Sequence, residues 1–287
     1  MAEPMPGKLS AAAGRARFRA VLSGDACVFP ASVYDPLSMR MAADLGFELA
    51  MLGGSVAALA VLGAPDHCLL SLDEFAGLCR RLCRTGALPL MVDADHGFGN
   101  ALNAMRCAEE LEAAGVAAMS LEDTALPQAY GAKRDDLISV DEAKAKIAAA
   151  VAARGDPSFC ILGRTTVRDV GELGERAAAY AEAGADAIFL TRARRVAEVA
   201  AAASASGLPI VLAAAKEELA EARDLGALGV RICLRGHDTI RAASGAAWES
   251  LNRAAGGGGS RPDDVLTRYS DAELYGDLIA TYLGRKP

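Results

Sequence analysis

The chain has 287 residues, 52% of them apolar and only 5% aromatic, with a net charge of −7. That length supports one large core, and an acidic balance with no basic stripe argues against a nucleic-acid or anionic-membrane partner. No apolar run reaches the roughly 20 residues of a membrane helix, and the seven cysteines, lacking any metal-finger or redox spacing, read as small buried hydrophobes in a reducing cytoplasm.

The first twenty residues, MAEPMPGKLSAAAGRARFRA, lack the apolar core of a secretory signal and read as a loose start running into a helix. From there one phrase recurs: Gly at a helix end, a short apolar run, then polar residues. It is clear at 44–54, 84–95, 112–123, 182–191, 205–214 and 225–237, and two weaker instances, DACVFPASVYD and GDPSFCILGR, bring the strand count to eight. The Gly supplies a left-handed cap and the run that follows reads as a buried strand. Helices fill the intervals. Ser71 with Glu74 and Ser139 with Glu142 have capping-box spacing, while Asn100 and Asp169 are expected N-caps. Behind them, Ala101-Ala104-Ala108-Leu111 and Val170-Leu173-Ala177-Tyr180 each mark one helical face.

Apolar strands alternating with helices imply a parallel sheet covered on both faces. Eight such units predict an α/β fold, a (β/α)₈ TIM barrel, over residues 1–253. The doubly wound alternative has no GxGxxG after the first strand. The stretch AAGGGGSRPDD (254–264) reads as a flexible linker. Residues 265–287 read as a helical tail, docked on the barrel or on a neighbouring subunit, and the second possibility predicts an oligomer.

Catalytic groups of a barrel sit where strands end. Those positions hold Gly53-Gly54-Ser55, Asp93 and Asp95, Glu122-Asp123, Arg164, and Arg235-Gly236-His237. Strand alternation would put Asp93 and Asp95 on one side, facing the mouth, with Glu122 arriving from the next strand. Three hard oxygen donors favour Mg²⁺, with Mn²⁺ possible, the ion keeping several waters; the alternative is a solvated acidic rim. Arg164 would fork onto a substrate carboxylate or balance the acids. His237 would orient substrate or sit in a loop. Backbone N–H groups at Gly54 and Ser55 would hold an oxyanion, unless the glycines serve only a tight turn. His67 and His96 read as structural hydrogen-bonders. A phosphate-binding barrel would want a Gly-rich loop after the last two strands, which LAAAKEE and LRGHD do not supply.

The segments ASVYDPLSMRMAADLGFELAMLGGSVA, APDH, DADHGFGN, SLEDTALPQAYG and LGRTT, spread from about Phe18 to about Trp248, resemble the isocitrate lyase and phosphoenolpyruvate mutase superfamily. GGSVA and the Gly-His after the last strand are most similar to its oxaloacetate decarboxylase branch. The resemblance implies a barrel whose last helix is swapped between subunits of a homotetramer, built as a dimer of dimers. It also implies a bound Mg²⁺ and a small 2-oxo or 2-hydroxy acid as substrate. By motif, Asp95 resembles the direct metal ligand, and Asp93 and Glu122 the residues that hold the metal's waters. Ser55, with Gly54, and Arg164 match substrate-binding positions, His237 the substrate-contacting His, and Asp66 an acidic residue near the site.

The chain also departs from the pattern. Its lid, PQAYGAKRDD (127–136), has no thiol, which argues against isocitrate or methylisocitrate cleavage, and no Asn follows Lys133 as in the phosphonate enzymes. Ala213-Ala214-Ala215 stand where relatives carry a Tyr, and Thr166 where they carry Asn or an acid. The expected reaction is Mg-dependent decarboxylation of oxaloacetate to pyruvate and CO₂. The alternatives are another C–C or P–C lyase or hydrolase of the superfamily, acting on phosphonopyruvate or a substituted malate, and a non-catalytic dicarboxylate binder.

Overall fold

The computed structural model describes residues 8–133 and 136–284. Lid residues Arg134 and Asp135, the first seven residues and the last three of the tail lie outside the described residues.

Eight parallel strands run in sequential order: β1 (Ala31–Ser32), β2 (Ala50–Leu52), β3 (Leu90–Asp93), β4 (Ala118–Glu122), β5 (Cys160–Thr165), β6 (Ala187–Leu190), β7 (Ile210–Leu212) and β8 (Val230–Cys233). Closure comes just before β1, where Val28 bridges Ile232 in parallel: its N–H donates to Arg231 O at 2.8 Å, and its C=O accepts from Cys233 N at 3.0 Å. The expected barrel is the observed one.

Alternation along the strands creates two cores. Met51, Met91, Leu162, Phe189, Val211 and Ile232 fill the barrel interior. Phe18 and Leu22 of α1 (Ala11–Ser23) join that cluster and plug its base. The opposite faces pack against α2 (Pro36–Asp44), α3 (Gly54–Leu62), α4 (Leu72–Cys83), α5 (Ala101–Ala113), α6 (Val140–Ala153), α7 (Val170–Glu182) and α8 (Val196–Ser206). The predicted caps recur in place. Ser71 and Glu74 form a reciprocal box, Asn100 pairs with Asn103, and Asp169 caps α7. Ser139 accepts from Glu142 N without the return bond. Ala104, Ala108 and Leu111 are buried, as are Leu173, Ala177 and Tyr180.

The pattern breaks once. After β7 come only two 3₁₀ turns, Glu217–Ala220 and Gly226–Leu228. The first buries Leu219 alone, too little for an amphipathic face. Two further elements then follow β8 on the far side of a long helix: after α9 (Asp238–Ala254) come α10 (Val265–Tyr269) and α11 (Ala272–Tyr282). The tail returns to loops at the mouth of its own barrel, where Tyr275 faces His67 with ring centroids 6.0 Å apart and Gly131 N donates to Leu283 O at 2.9 Å. Among the described residues no helix is long and apolar enough to cross a membrane, and all seven cysteines are free thiols.

Candidate active site

Sequential strand order makes neighbours of β3, β4 and β5 at the mouth. In that register Asp93 stands beside Ser120, and Glu122 beside Arg164. Ser120 Oγ donates to Asp93 Oδ1 at 3.0 Å, and Thr124 Oγ1 donates to Glu122 Oε2 at 3.1 Å. Arg164 spans both acids, with Nη1 on Asp93 Oδ2 and Nη2 3.0 Å from Glu122 Oε2. Burial raises the Glu122 pKa against the opposing pull of Arg164. Burial likewise disfavours the guanidinium, but Asp93, Glu122 and Asp95 outweigh it and raise the Arg164 pKa further. One guanidinium thus faces two carboxylates, with Asp95 as a third nearby, so the acids outnumber the base.

Asp95 reaches the site by another route. β3 ends at Asp93, so the expected alternation does not extend to Asp95, which has φ +47° in the left-handed region. Asp tolerates that conformation better than most residues. The turn sets its carboxylate against the start of α3: a Cβ on Gly54 would lie 2.5 Å from Oδ1 and 2.8 Å from Oδ2. Burial first, then the charges of Asp93 and Asp66, raise its pKa well above the ordinary value.

The third side is built from β2 and β8. Gly53 caps α3 without a side-chain hydrogen bond, so its first turn presents backbone donors at Gly54 and Ser55. His237 packs against Gly53, where a Cβ would lie 2.8 Å from Nε2. Its Nδ1 lies 2.8 Å from Ser32 Oγ, which fixes the ring. Burial lowers the His237 pKa despite the carboxylates of Asp93 and Asp238, so the neutral imidazole is favoured.

These groups border one cavity of about 1670 Å³. Ser55, Asp66, Asp93, Arg164 and His237 line it, and so do Ala213, Ala214 and Ala215, so the end of β7 offers only methyl groups. Asp95 and Glu122 do not line it; each touches a group that does or its neighbour, Glu122 through Arg164 and Asp95 beside Gly54. Asp66 stands at the exposed rim. Among the described residues no group of three or more His, Cys, Asp or Glu forms a direct metal cage. The donors instead suit a hydrated ion with one direct carboxylate, since an all-oxygen set that leaves room for water is the Mg²⁺ pattern.

Ser32, Ser120 and Thr124 were not expected. Ser32 sits in the quoted ASVYD segment, but its partner His237 is 205 positions away and meets it only through barrel closure. A second buried network lies behind the acids. Asp123 Oδ2 accepts from Tyr180 Oη at 2.6 Å and from Arg176 Nη1 at 3.2 Å, while Asp123 N donates to Arg164 O at 3.2 Å.

The family model for phosphoenolpyruvate phosphomutase matches residues 18–255. The chain belongs to that family. Among its relatives, the oxaloacetate decarboxylase of Rhodopseudomonas palustris (strain BisB18) is 50% identical over 281 residues, covering 95% of this chain and 98% of the relative. Solved members of the family share the fold. A phosphonopyruvate hydrolase complexed with oxalate and Mg²⁺ superposes with a TM-score of 0.72 at 29% identity, covering 94% of this chain and 99% of that one. An oxaloacetate acetylhydrolase bound to 3,3-difluorooxalacetate gives 0.74 at 27% identity, covering 93% and 96%.

Proposed function

We propose that the chain decarboxylates oxaloacetate to pyruvate and CO₂. The observation that carries this reading is the convergence of Asp93, Glu122 and Arg164 on three adjacent strand ends, with Asp95 against the start of α3. The 50% identity to a protein of that name supports it. Asp95 would hold Mg²⁺ directly, with Asp93 and Glu122 on its waters, and the bound ion would supply a Lewis acid to the 2-oxo oxygen.

The chain's own residues bind and orient the substrate. Arg164, its two Nη groups shared with Asp93 and Glu122, lends positive charge to a substrate carboxylate, and the N–H groups of Gly54 and Ser55 donate to oxygen at the start of α3. Neutral His237, its ring fixed by Ser32, orients the acid as a hydrogen-bonding partner rather than as a competing cation. When the C3–C4 bond breaks, its electron pair delocalises toward the C2 oxygen, CO₂ leaves, and a solvent proton at C3 completes pyruvate. No nucleophile is needed.

Pyruvate release with and without chelator tests this, with phosphonopyruvate and 2-hydroxy diacids as rival substrates. Asp95→Ala should abolish metal-dependent CO₂ release; full activity of that variant in chelator would overturn the reading. Phosphonopyruvate cleavage alone would move the assignment to the P–C branch.

The same reading includes a homotetramer, a dimer of dimers with exchanged C-terminal helices. Its support is incomplete burial: α9 buries only Ile240 and Gly245, α11 buries nothing, and Leu37 and Met41 of α2 and Leu45 just after it are exposed. Light scattering on the purified protein decides it, and a monomer would exclude the exchange.

A further inference from the structure

The cavity is larger than oxaloacetate needs. At about 1670 Å³ it exceeds the roughly 300–1,000 Å³ of sites that enclose whole drug-sized ligands. The surplus lies on the β7–β8 side, where Ala213–Ala215 leave the wall bare and the following turns hold no α-helix.

Cations face that space. Arg235, one residue past Leu234 on the way to His237, lines the cavity with its guanidinium carbon 3.7 Å from the centroid of the Phe29 ring. Stacking on an aromatic face limits the motion of the planar fork while leaving its edge free to donate. Lys216, at the end of the Ala213–Ala215 run, lines the same wall. Neither Arg235 nor Lys216 makes an ion pair or a side-chain hydrogen bond among the described residues, whereas neighbouring Arg194 pairs with Glu217 and Arg168 with Glu198. Asp25 and Asp224 line the same cavity, but neither pairs with Arg235 or Lys216 among the described residues, so these two cations are open to an anionic group of the ligand. That group is additional to the one Arg164 takes on the opposite wall. The loops after β7 and β8 provide no Gly-rich phosphate cradle, and a stacked guanidinium fork suits a carboxylate.

We infer that Arg235 and Lys216 form a second carboxylate-binding wall, and that the preferred substrate is an oxaloacetate carrying an extra carboxylate-bearing arm at C3. The inference rests on the decarboxylase reading and narrows it. The chemistry stays balanced: the C3–C4 bond breaks, CO₂ leaves, the electron pair passes toward the C2 oxygen, and solvent protonates C3. The product is a 2-oxo diacid instead of pyruvate, and nothing is oxidised or reduced.

The experiment compares CO₂ release, above the spontaneous rate, from oxaloacetate and from its 3-carboxymethyl derivative, using the full chain with Mg²⁺. The readout is the ratio of kcat/KM for the armed substrate to that for oxaloacetate. In the wild-type protein the ratio should exceed one. Arg235→Ala should lower it about tenfold, the size of one charge-assisted hydrogen bond, with partial recovery in Arg235→Lys. Lys216→Ala, at an exposed position with no packing role, should lower it in the same direction. An unchanged ratio in both alanine variants overturns the inference. Turnover of oxaloacetate without turnover of the armed substrate overturns it while leaving the decarboxylase reading intact. Turnover of neither removes the decarboxylase reading itself.

Discussion

The carboxylate of Asp95 rests on the backbone of Gly54: a Cβ at that glycine would sit 2.5 Å from Oδ1, inside any contact a real side chain makes. The neighbour cannot easily yield. Asp95 is held in a left-handed conformation, and its C=O accepts from Glu122 N at 2.8 Å. Gly54 is therefore needed because the proposed metal ligand occupies the space a methyl group would take.

Gly54→Ala should displace that carboxylate without unfolding the barrel. Gly54 is buried and the overlap resembles other overpacked sites, so the change should cost about 1–3 kcal/mol and lower Tm by several degrees while the fold persists. The Mg²⁺ concentration for half-maximal CO₂ release should rise about tenfold or more, as when a group supporting a ligand is disturbed. A Mg²⁺ titration checks this. Unchanged metal dependence would mean that Asp95 does not hold the ion.

The acids and Arg164 were legible in the sequence because a parallel barrel keeps chain order. Strand ends adjacent in sequence become adjacent in space, so Asp93, Glu122 and Arg164 had to meet. Gly caps and apolar runs are local signals, which is why eight strands could be counted. What stayed hidden depends on single torsions or on closure. The direction of Asp95 turns on one left-handed residue rather than on strand alternation. Ser32 meets His237 only because the ring closes. Likewise the helix missing after β7 follows from how little Glu217–Ala220 can bury, which a Gly-apolar phrase does not report.

Behind the site, Tyr180 lies so close to β5 that a Cβ on Gly163 would be 2.6 Å from its ring Cδ2, with its hydroxyl aimed at Asp123. Asp123 Oδ1 has no hydrogen-bond partner among the described residues, so Oδ2 carries the compensation for burying this acid. Tyr180→Phe removes the 2.6 Å bond and should cost about 1–3 kcal/mol, the penalty for leaving a buried polar group underserved. Gly163→Ala should cost a similar amount, about 1–3 kcal/mol, because the ring is wedged between strand and helix. Urea unfolding measures both, and a wild-type midpoint in either variant would show that the contact relaxes freely.

His96, one residue past Asp95, gives the fold a pH dependence of definite sign. It is buried, and its Nδ1 has no hydrogen-bond partner among the described residues. Burial first, and the charge of Lys146 second, push its pKa down from 6.5 to about 4. Between those values the unfolded chain binds a proton that the folded protein refuses, so stability rises with pH across that window. The contribution is fully present above about pH 6.5 and is lost progressively toward pH 4, below which both states are protonated and the slope levels off. A shift of that size corresponds to a ceiling of roughly 3 kcal/mol. His96→Asn removes the titration. Its urea-unfolding free energy, measured in chelator, should change less than that of the wild type between about pH 7 and about pH 4.5. The carboxylates titrate in both proteins and largely cancel in the difference. Parallel curves would show that the imidazole takes its proton without opening the fold.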